Sequence, residues 1–362
     1  MCARVAIVYN EPFNSRYDAR GEQAAVTGVL GAVEAVHHAL LELSYEVVRV
    51  PLVPPLDQAR KKLGELEANL AFNLFEGFAG YPKTEAEIPD IFSAIGIPYT
   101  GCPSGALRLA LDKAKAKLIL TAAGIKTPDS QLLNPETLSM FRLSYPCIVK
   151  PRREDASHGL SERSVVYDFA SLERQVANVS RFYGGQALVE HFVCGREFNV
   201  TVLGNDNCTV LPVSEINYSL PQGVPPILTF AAKWQPDSPY FQGTRVVCPA
   251  EIETKEREHI AQTALAAFRL LGCRGYARVD MRQDEEERLN VIEVNPNPDI
   301  SPGSGAVRQT EAAGMAYPHF IQKIVQLALE KKDHDHQDTP DDKKRQASLD
   351  ENTAQYARVQ AL

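Results

Sequence analysis

The sequence has no apolar run long enough to span a membrane, which excludes a transmembrane helix and a membrane partner. It has no Gly-x-Gly-x-x-Gly after its first predicted strand, Val5 to Tyr9, so the fingerprint of dinucleotide binding at a first β-α turn is missing. It has no Cys-x-x-Cys pair. Its seven cysteines are odd in number and scattered, so neither a zinc site nor a disulfide framework is implied, and reduced, mostly buried thiols are expected. Positive charge is not in excess: the formal net charge of -8 argues against a general grip on nucleic acid through its phosphates. There is no internal repeat. The opening residues, Met1 to Tyr9, read as a strand and not as a secretory signal, so a cytoplasmic location is expected.

What is present is an ordinary soluble composition over 362 residues, 44% apolar and 23% charged, enough for two or three structural units with a large core. A strand at Val5 to Tyr9, a helix at Glu22 to Leu43 and strands at Glu46 to Val50 and Leu70 to Phe75 predict a β-α-β start with an open, mostly parallel sheet. A helix from Glu85 to Ile95 should stop at Gly96, and one from Leu109 to Ala123 at Gly124. Strands at Tyr145 to Lys150, Val165 to Tyr167 and Gln186 to Glu190 around a helix at Ser171 to Val179 predict a compact α+β unit. From Glu197 onward a second such unit is expected: strands at Phe198 to Leu203 and Thr209 to Glu215, a Pro-rich loop from Asn217 to Val246, a helix at Glu256 to Leu271 and a last helix at Tyr317 to Glu330. The division reads 1–108, 109–196, 197–330, and a charged tail over 331–362 expected to be disordered; His334 and His336 belong to that solvated tail.

The chemistry concentrates in Gly275 to Met281 and Val291 to Asn297, two strands separated by the charged turn Gln283 to Arg288. Side chains two apart on a strand share a face, so Arg278 goes with Asp280 and Glu293 with Asn295. A closed hairpin would gather three oxygen ligands and one guanidinium. A magnesium-bound triphosphate needs such a set: hard oxygen donors for the cation and a fixed positive fork for the charge that develops.

Several further motifs occur in one order: Gly96-Ile97-Pro98-Tyr99-Thr100-Gly101, Leu111-Asp112-Lys113, Ile148-Val149-Lys150-Pro151, Val189-Glu190-His191-Phe192 with Gly195-Arg196-Glu197, Ala231-Ala232-Lys233, and the hairpin from Arg278 to Asn295. In this order they resemble the ATP-grasp carboxylate-amine ligases, and among them the D-alanine–D-alanine ligases of peptidoglycan biosynthesis, over nearly all of residues 3 to 330. The resemblance implies an ATP-grasp fold, with an amino-terminal parallel-sheet domain followed by two α+β subdomains that clamp ATP. It implies an ADP-forming reaction in which a carboxylate takes the γ-phosphoryl group to give an acyl phosphate and an amine then displaces phosphate. ATP and two Mg2+ ions, or Mn2+, would be the cofactors and amino acids the substrates; base rates alone make a symmetric homodimer the default.

By the same resemblance, Lys113, Lys150 and Ser157 would meet nucleotide phosphates, and Glu190, His191, Val193 and Glu197 the adenine and ribose. Lys233 would act from a lid, Asp280, Glu293 and Asn295 would hold metal, and Arg278 would stabilise the oxyanion. Glu11, Glu22, Glu76, Trp234, Asp299 and Ser304 are the implied substrate residues, with Glu76 also catalytic. The chain departs from the family pattern at four places. The Gly-Gly-x-Ser-x-Glu loop is absent, with Glu11 and Glu22 as stand-ins. Glu76 replaces a histidine, Trp234 stands where a tyrosine is expected, and Arg152 to Gly159 carries one glycine where the family has two. The alternative is an ATP-binding sensor or interaction protein that kept the fold without turnover.

Overall fold

The computed structural model describes residues 3–12, 15, 17 and 23–330. Glu22 and the tail, with His334 and His336, lie outside the described residues.

Strands β1 (Arg4–Asn10), β2 (Glu46–Leu52) and β3 (Leu70–Leu74) form a parallel sheet in the order β2-β1-β3. Parallel neighbours need crossovers, which α1 (Gln23–Glu42) and α2 (Leu56–Gly64) supply. With both faces covered, β3 is buried at every position, and so reads as a continuous apolar run rather than an alternating one. Helix α3 (Glu87–Ile95) ends at Gly96, which takes the left-handed φ of 73° and lets its N–H return to the last turn.

The helix expected from Leu109 to Ala123 is instead two: α4 (Ser104–Leu111) and α5 (Lys113–Ala122). The carboxylate of Asp112 accepts from the Lys115 N–H and starts a new helix there, a role for which aspartate is favoured. Strands β4 (Ser130–Leu133), β5 (Cys147–Pro151), β6 (Val165–Val166) and β7 (Ala187–His191) follow in the antiparallel order β4-β7-β5-β6, covered by α6 (Phe169–Tyr183).

The last sheet contains β8 (Glu197–Gly204), β9 (Cys208–Val210), β10 (Ser214–Tyr218), β11 (Thr244–Val247), β12 (Gly275–Gln283) and β13 (Leu289–Pro296). Its order is β11-β10-β8-β12-β13, with β9 beside β8. The single strand expected over Thr209 to Glu215 is split around Pro212, which has no N–H to give a ladder. The Pro-rich loop contains short helices α7 (Phe230–Trp234) and α8 (Pro239–Gly243). Helix α9 (Thr254–Leu270) packs on this sheet, and α10 (Gly305–Ala312) and α11 (Tyr317–Leu329) follow it. Phe320, Ile321, Ile324 and Val325 of α11 are fully buried in one cluster with Val33 and Val36 of α1 and Val5 and Ile7 of β1. The far end of the chain thus completes the core of the first sheet.

Candidate active site

Strand β12 lies between β8 and β13, and its pairing with β13 sets Asp280 opposite Glu293 and Arg278 opposite Asn295. The ladder slips by one residue between Asp280 and Met281, a bulge of the kind that re-aims side chains beside functional sites. The expected shared face therefore forms. Arg278 holds Asp280 with two hydrogen bonds, Nε to Oδ1 at 2.7 Å and a terminal nitrogen to Oδ2 at 2.8 Å. Asn295 Nδ2 donates to Asp280 Oδ2 at 2.8 Å, which commits its amide nitrogen and leaves the amide oxygen as its remaining acceptor. Burial opposes the charge on Arg278, yet the Asp280 carboxylate holds the guanidinium well above its ordinary value.

Lys113 is the first residue of α5, and from there its ammonium crosses to the hairpin. Its Nζ lies 2.5 Å from Glu293 Oε1 and 3.7 Å from Asp155 Oδ1, and it donates to the Glu154 carbonyl at 2.5 Å. Burial disfavours the ammonium, but the facing carboxylates of Glu293 and Asp155 raise it above the usual lysine range. Asp155 accordingly faces inward, against a lysine. Asp112 fixes the loop that carries Asp155: it accepts two hydrogen bonds from Arg152, at 2.8 and 2.9 Å, and two from Arg153, at 3.0 and 2.7 Å. Further along, Ala156 and Ser157 sit at φ of 51° and 61°. Two non-glycine residues in the left-handed region carry backbone strain in this loop.

Lys150 on β5 and Lys117 on α5 share one carboxylate, Glu190 on β7, at 2.5 and 2.7 Å. Glu190 is 1% exposed. Neither contact has good hydrogen-bond angles, so charge alone holds this trio in a buried place. Burial works against the Glu190 carboxylate, but the two ammonium groups bring it down to about 2. Lys117 is also held down, by burial first, with Lys150 beside it. One carboxylate cannot fully support two buried cations, and the direction that governs is that of Glu190, which touches both.

The remaining expected residues separate into two groups. Near the hairpin, Lys233 lies in α7, whose start is capped by Thr229 accepting from the Ala232 N–H at 3.1 Å. Burial and then the neighbouring Arg278 lower its pKa, so it faces the same charged surface from above. Glu197 accepts from the Tyr218 hydroxyl at 2.7 Å and pairs with Arg282 at 3.1 Å, and Arg282 also donates to the Val193 carbonyl at 2.9 Å. His191 closes the β7 end, its Nδ1 3.5 Å from the Ser144 carbonyl oxygen. The second group lies toward the first sheet. Trp234 stacks loosely on Phe230, with ring centroids 6.3 Å apart, and packs over Gly28 of α1. Ser304 caps α10, accepting from the Val307 N–H, and Asp299 accepts from the Ser301 N–H at 2.8 Å. Glu11 is exposed after β1.

Glu76 leaves β3 at the carboxyl edge of the parallel sheet, where open α/β sheets place ligands. Its backbone N–H donates to Asn10 Oδ1 at 2.9 Å. Around its carboxyl group are Glu85, Asn73, Tyr276, Asn297 and Asp299, lining one cavity. Low hydration in the cleft, then the negative charges of Asp299 and Asp155, push Glu76 up to about 8, although it still reaches solvent at the mouth and water screens part of this. Replacing it isosterically is expected to raise the KM of an amino-acid substrate roughly tenfold or more, the scale of one charged hydrogen bond. Glu76→Gln kinetics would check this, and equal losses for ATP and amino acid would place the pocket elsewhere.

Lys117, Glu85, Asn73 and Asn297 were not singled out in the sequence. Glu85 and Asn297 had a signal, since each ends or follows an element aimed at the same cleft; Asn73 had none inside an apolar strand, and Lys117 none as the third of three alternating helix lysines. The described residues contain no group of three or more His, Cys, Asp or Glu that could hold a metal ion. Asp280, Glu293 and the Asn295 amide oxygen are nevertheless the hard, sparse donor set that magnesium takes when phosphate oxygens complete its shell. A groove of about 490 Å³ between Val210 and Ala261 contains none of these residues.

Three comparisons bear on the arrangement. The family model described as D-ala D-ala ligase C-terminus matches residues 119–326. An uncharacterised protein of Sinorhizobium fredii, y4sG, is 34% identical over 265 residues, covering 72% of this chain and 75% of that one. A D-alanine–D-alanine ligase of Desulforudis audaxviator is 31% identical over 303 residues, covering 82% of this chain and 92% of its own length. Among solved structures, D-alanine–D-alanine ligase from Bacillus anthracis complexed with ATP superposes with a TM-score of 0.71 at 22% identity, covering 91% of this chain and 97% of that one. That likeness establishes the ATP-grasp fold.

Proposed function

Because this chain belongs to the D-alanine–D-alanine ligase family, we propose that its cleft joins a carboxylate to an amine at the expense of ATP, releasing ADP, with an amino acid as substrate. The single observation that carries this reading is the face shared by Arg278, Asp280, Glu293 and Asn295, with Lys113 brought onto it from another element. A silent sensor has no need to keep opposed charges crowded there, since each costs desolvation.

In this reading Lys113 and Lys150 bind nucleotide phosphates as point charges. Lys117, buried beside Lys150, keeps Glu190 charged and in place, and Glu190 with Glu197 faces the base and ribose. The stretch Glu190 to Val193 supplies backbone groups to the base. Asp280, Glu293 and Asn295 would hold divalent cations, Mg2+ by donor type, which neutralise phosphoryl oxygens during transfer. Arg278 sets fixed donors where the oxyanion of the second step develops. Lys233 and α7 close over the phosphates and exclude water. The loop Arg152 to Gly159 covers them from the other side, with Ser157 toward phosphate.

Glu76 holds the ammonium of an amino-acid substrate, in place of the glutamate missing from the first loop. D-Alanine, the substrate in the relatives' names, is the first to try. No helix among the described residues is long and apolar enough to cross a membrane, and the reading takes the protein as a cytoplasmic homodimer.

The test is release of ADP from ATP across a panel of D- and L-amino acids, singly and in pairs. ADP release that depends on an amino acid supports the ligase; none with any of them, from protein that binds ATP, overturns it. Lys150→Ala is expected to weaken ATP binding by roughly tenfold, the scale of a charged hydrogen bond, with the fold retained. Calorimetry giving wild-type ATP affinity would remove Lys150 from the phosphate site.

A further inference from the structure

The cleft at the carboxyl edge of the first sheet contains more carboxyl groups than one amino-acid ammonium can pair with. Glu76, Glu85 and Asp299 come from three separate segments, after β3, before α3 and after β13, and converge on one cavity. Among the described residues none of the three has an ion pair, although the Arg278 guanidinium is near enough to Asp299 to feel its charge; Lys113 is already shared by Glu293 and Asp155. Glu85 feels this crowding: burial first, then the charges of Asp155 and Glu76, push its carboxyl well above the usual carboxylate range.

A second observation, independent of the charges, marks the cavity as a ligand site. Asn73, only 2% exposed, has its amide oxygen fixed by the Phe75 N–H at 3.3 Å, which leaves its buried Nδ2 with no acceptor among the described residues. Asn297 repeats the arrangement from β13. Its oxygen accepts from the Cys102 N–H at 2.7 Å, and its Nδ2 is likewise buried with no acceptor in good geometry, although it lies near enough to Glu85 to favour the charged carboxylate. Gly101 permits this approach, because a Cβ there would collide with the Asn297 amide. A buried donor left without a partner is costly, so the Asn73 amide facing this cavity calls for an acceptor that arrives with the ligand.

The cavity also has two levels. The whole cavity has a volume of about 20 Å³, room for one water-sized group such as an ammonium. Glu85 and the two asparagines are partly or fully enclosed, whereas Glu76 and Asp299 reach solvent at the mouth.

We propose that this cleft selects an amino acid with a second ammonium group, a diamino monocarboxylate. One cationic head sits inward against Glu85, the other sits between Glu76 and Asp299, and the Asn73 and Asn297 amides donate to the substrate's oxygen atoms. The assignment rests on the ligase reading for its chemistry, but not for its binding.

The experiment separates the two. The full chain with ADP is titrated calorimetrically with 2,4-diaminobutyrate and with 2-aminobutyrate, which has the same carbon chain and one ammonium fewer, each as both enantiomers. The diamino compound is expected to bind roughly tenfold tighter or more, the scale of one added charged contact. Glu85→Gln and Asp299→Asn keep shape and remove charge, and either is expected to bring that ratio close to one. Equal binding of the two ligands by wild-type protein, or a preference that survives both substitutions, overturns the proposal. ADP release is scored beside this. A diamino preference with no amino-acid-dependent ADP release refutes the ligase reading and leaves the selectivity standing; ADP release with alanine and no diamino preference does the reverse.

Discussion

Glu293→Gln is expected to fold normally and to lose roughly a hundredfold or more in turnover, the scale of removing one preorganised electrostatic contact from a reacting centre. The substitution keeps the shape of the side chain and its place opposite Asp280. What it removes is the negative charge, and a neutral amide cannot balance a divalent cation beside Asp280. Its partner in this structure, Lys113, retains Asp155 at 3.7 Å and the Glu154 carbonyl, so the cost to stability should stay below the about 3–5 kcal/mol of a buried pair broken outright. Binding of Mn2+ in the presence of ADP, followed by calorimetry, is expected to weaken in parallel. A mutant with wild-type rate and wild-type cation dependence would end the metal assignment.

Glu190→Ala should be the most destabilising of the single changes considered, by about 3–5 kcal/mol, because it leaves the buried ammonium groups of Lys117 and Lys150 without a counter-charge. The same trio predicts a pH dependence. A carboxylate whose pKa falls from 4.5 in the unfolded chain to about 2 in the fold adds stability that is fully present above 4.5. That stability is lost as pH falls from there toward 2. The shift corresponds to about 3 kcal/mol; Lys117, held below its ordinary value, subtracts the same amount at pH 7 and at pH 3 and leaves this window unchanged. Chemical denaturation at pH 7 and at pH 3 would measure both effects. Adding Lys117→Met to Glu190→Ala should recover part of the loss, since it removes one of the stranded charges. A melting point for Glu190→Ala within a degree of wild type would mean that water reaches the trio.

The two cases differ in how they were read. Glu293 and Asn295 were legible because a strand has a period of two and a short charged turn leaves few alternatives for its partner. Glu190 was legible as a strand-end carboxylate, but its two lysine partners were not: Lys117 lies mid-helix among alanines and leucines, and Lys150 meets it only through the β5–β7 pairing that sets Ile148 opposite Glu190. The split of one expected helix at Asp112 was missed for a related reason. Helical periodicity continues across that residue, and only its side chain, which caps α5 and grips Arg152 and Arg153, shows that the backbone turns there.

What the sequence determined by itself was therefore local or ordered along the chain. The parallel opening sheet, the hairpin with its shared face and the succession of motifs follow from periodicity, turn chemistry and residue type, and these need no long-range contact. The tertiary structure alone decided which charges meet. It brought Lys113 onto Glu293 across 180 residues, folded α11 back to finish the first core, and set Glu76, Glu85 and Asp299 around one cavity with Asn73 and Asn297. Charge at a distance along the chain carries no period, so no pattern announces it. Its partner is chosen by the packing of apolar faces elsewhere, and only then does Coulomb energy in a poorly hydrated cleft turn that choice into chemistry.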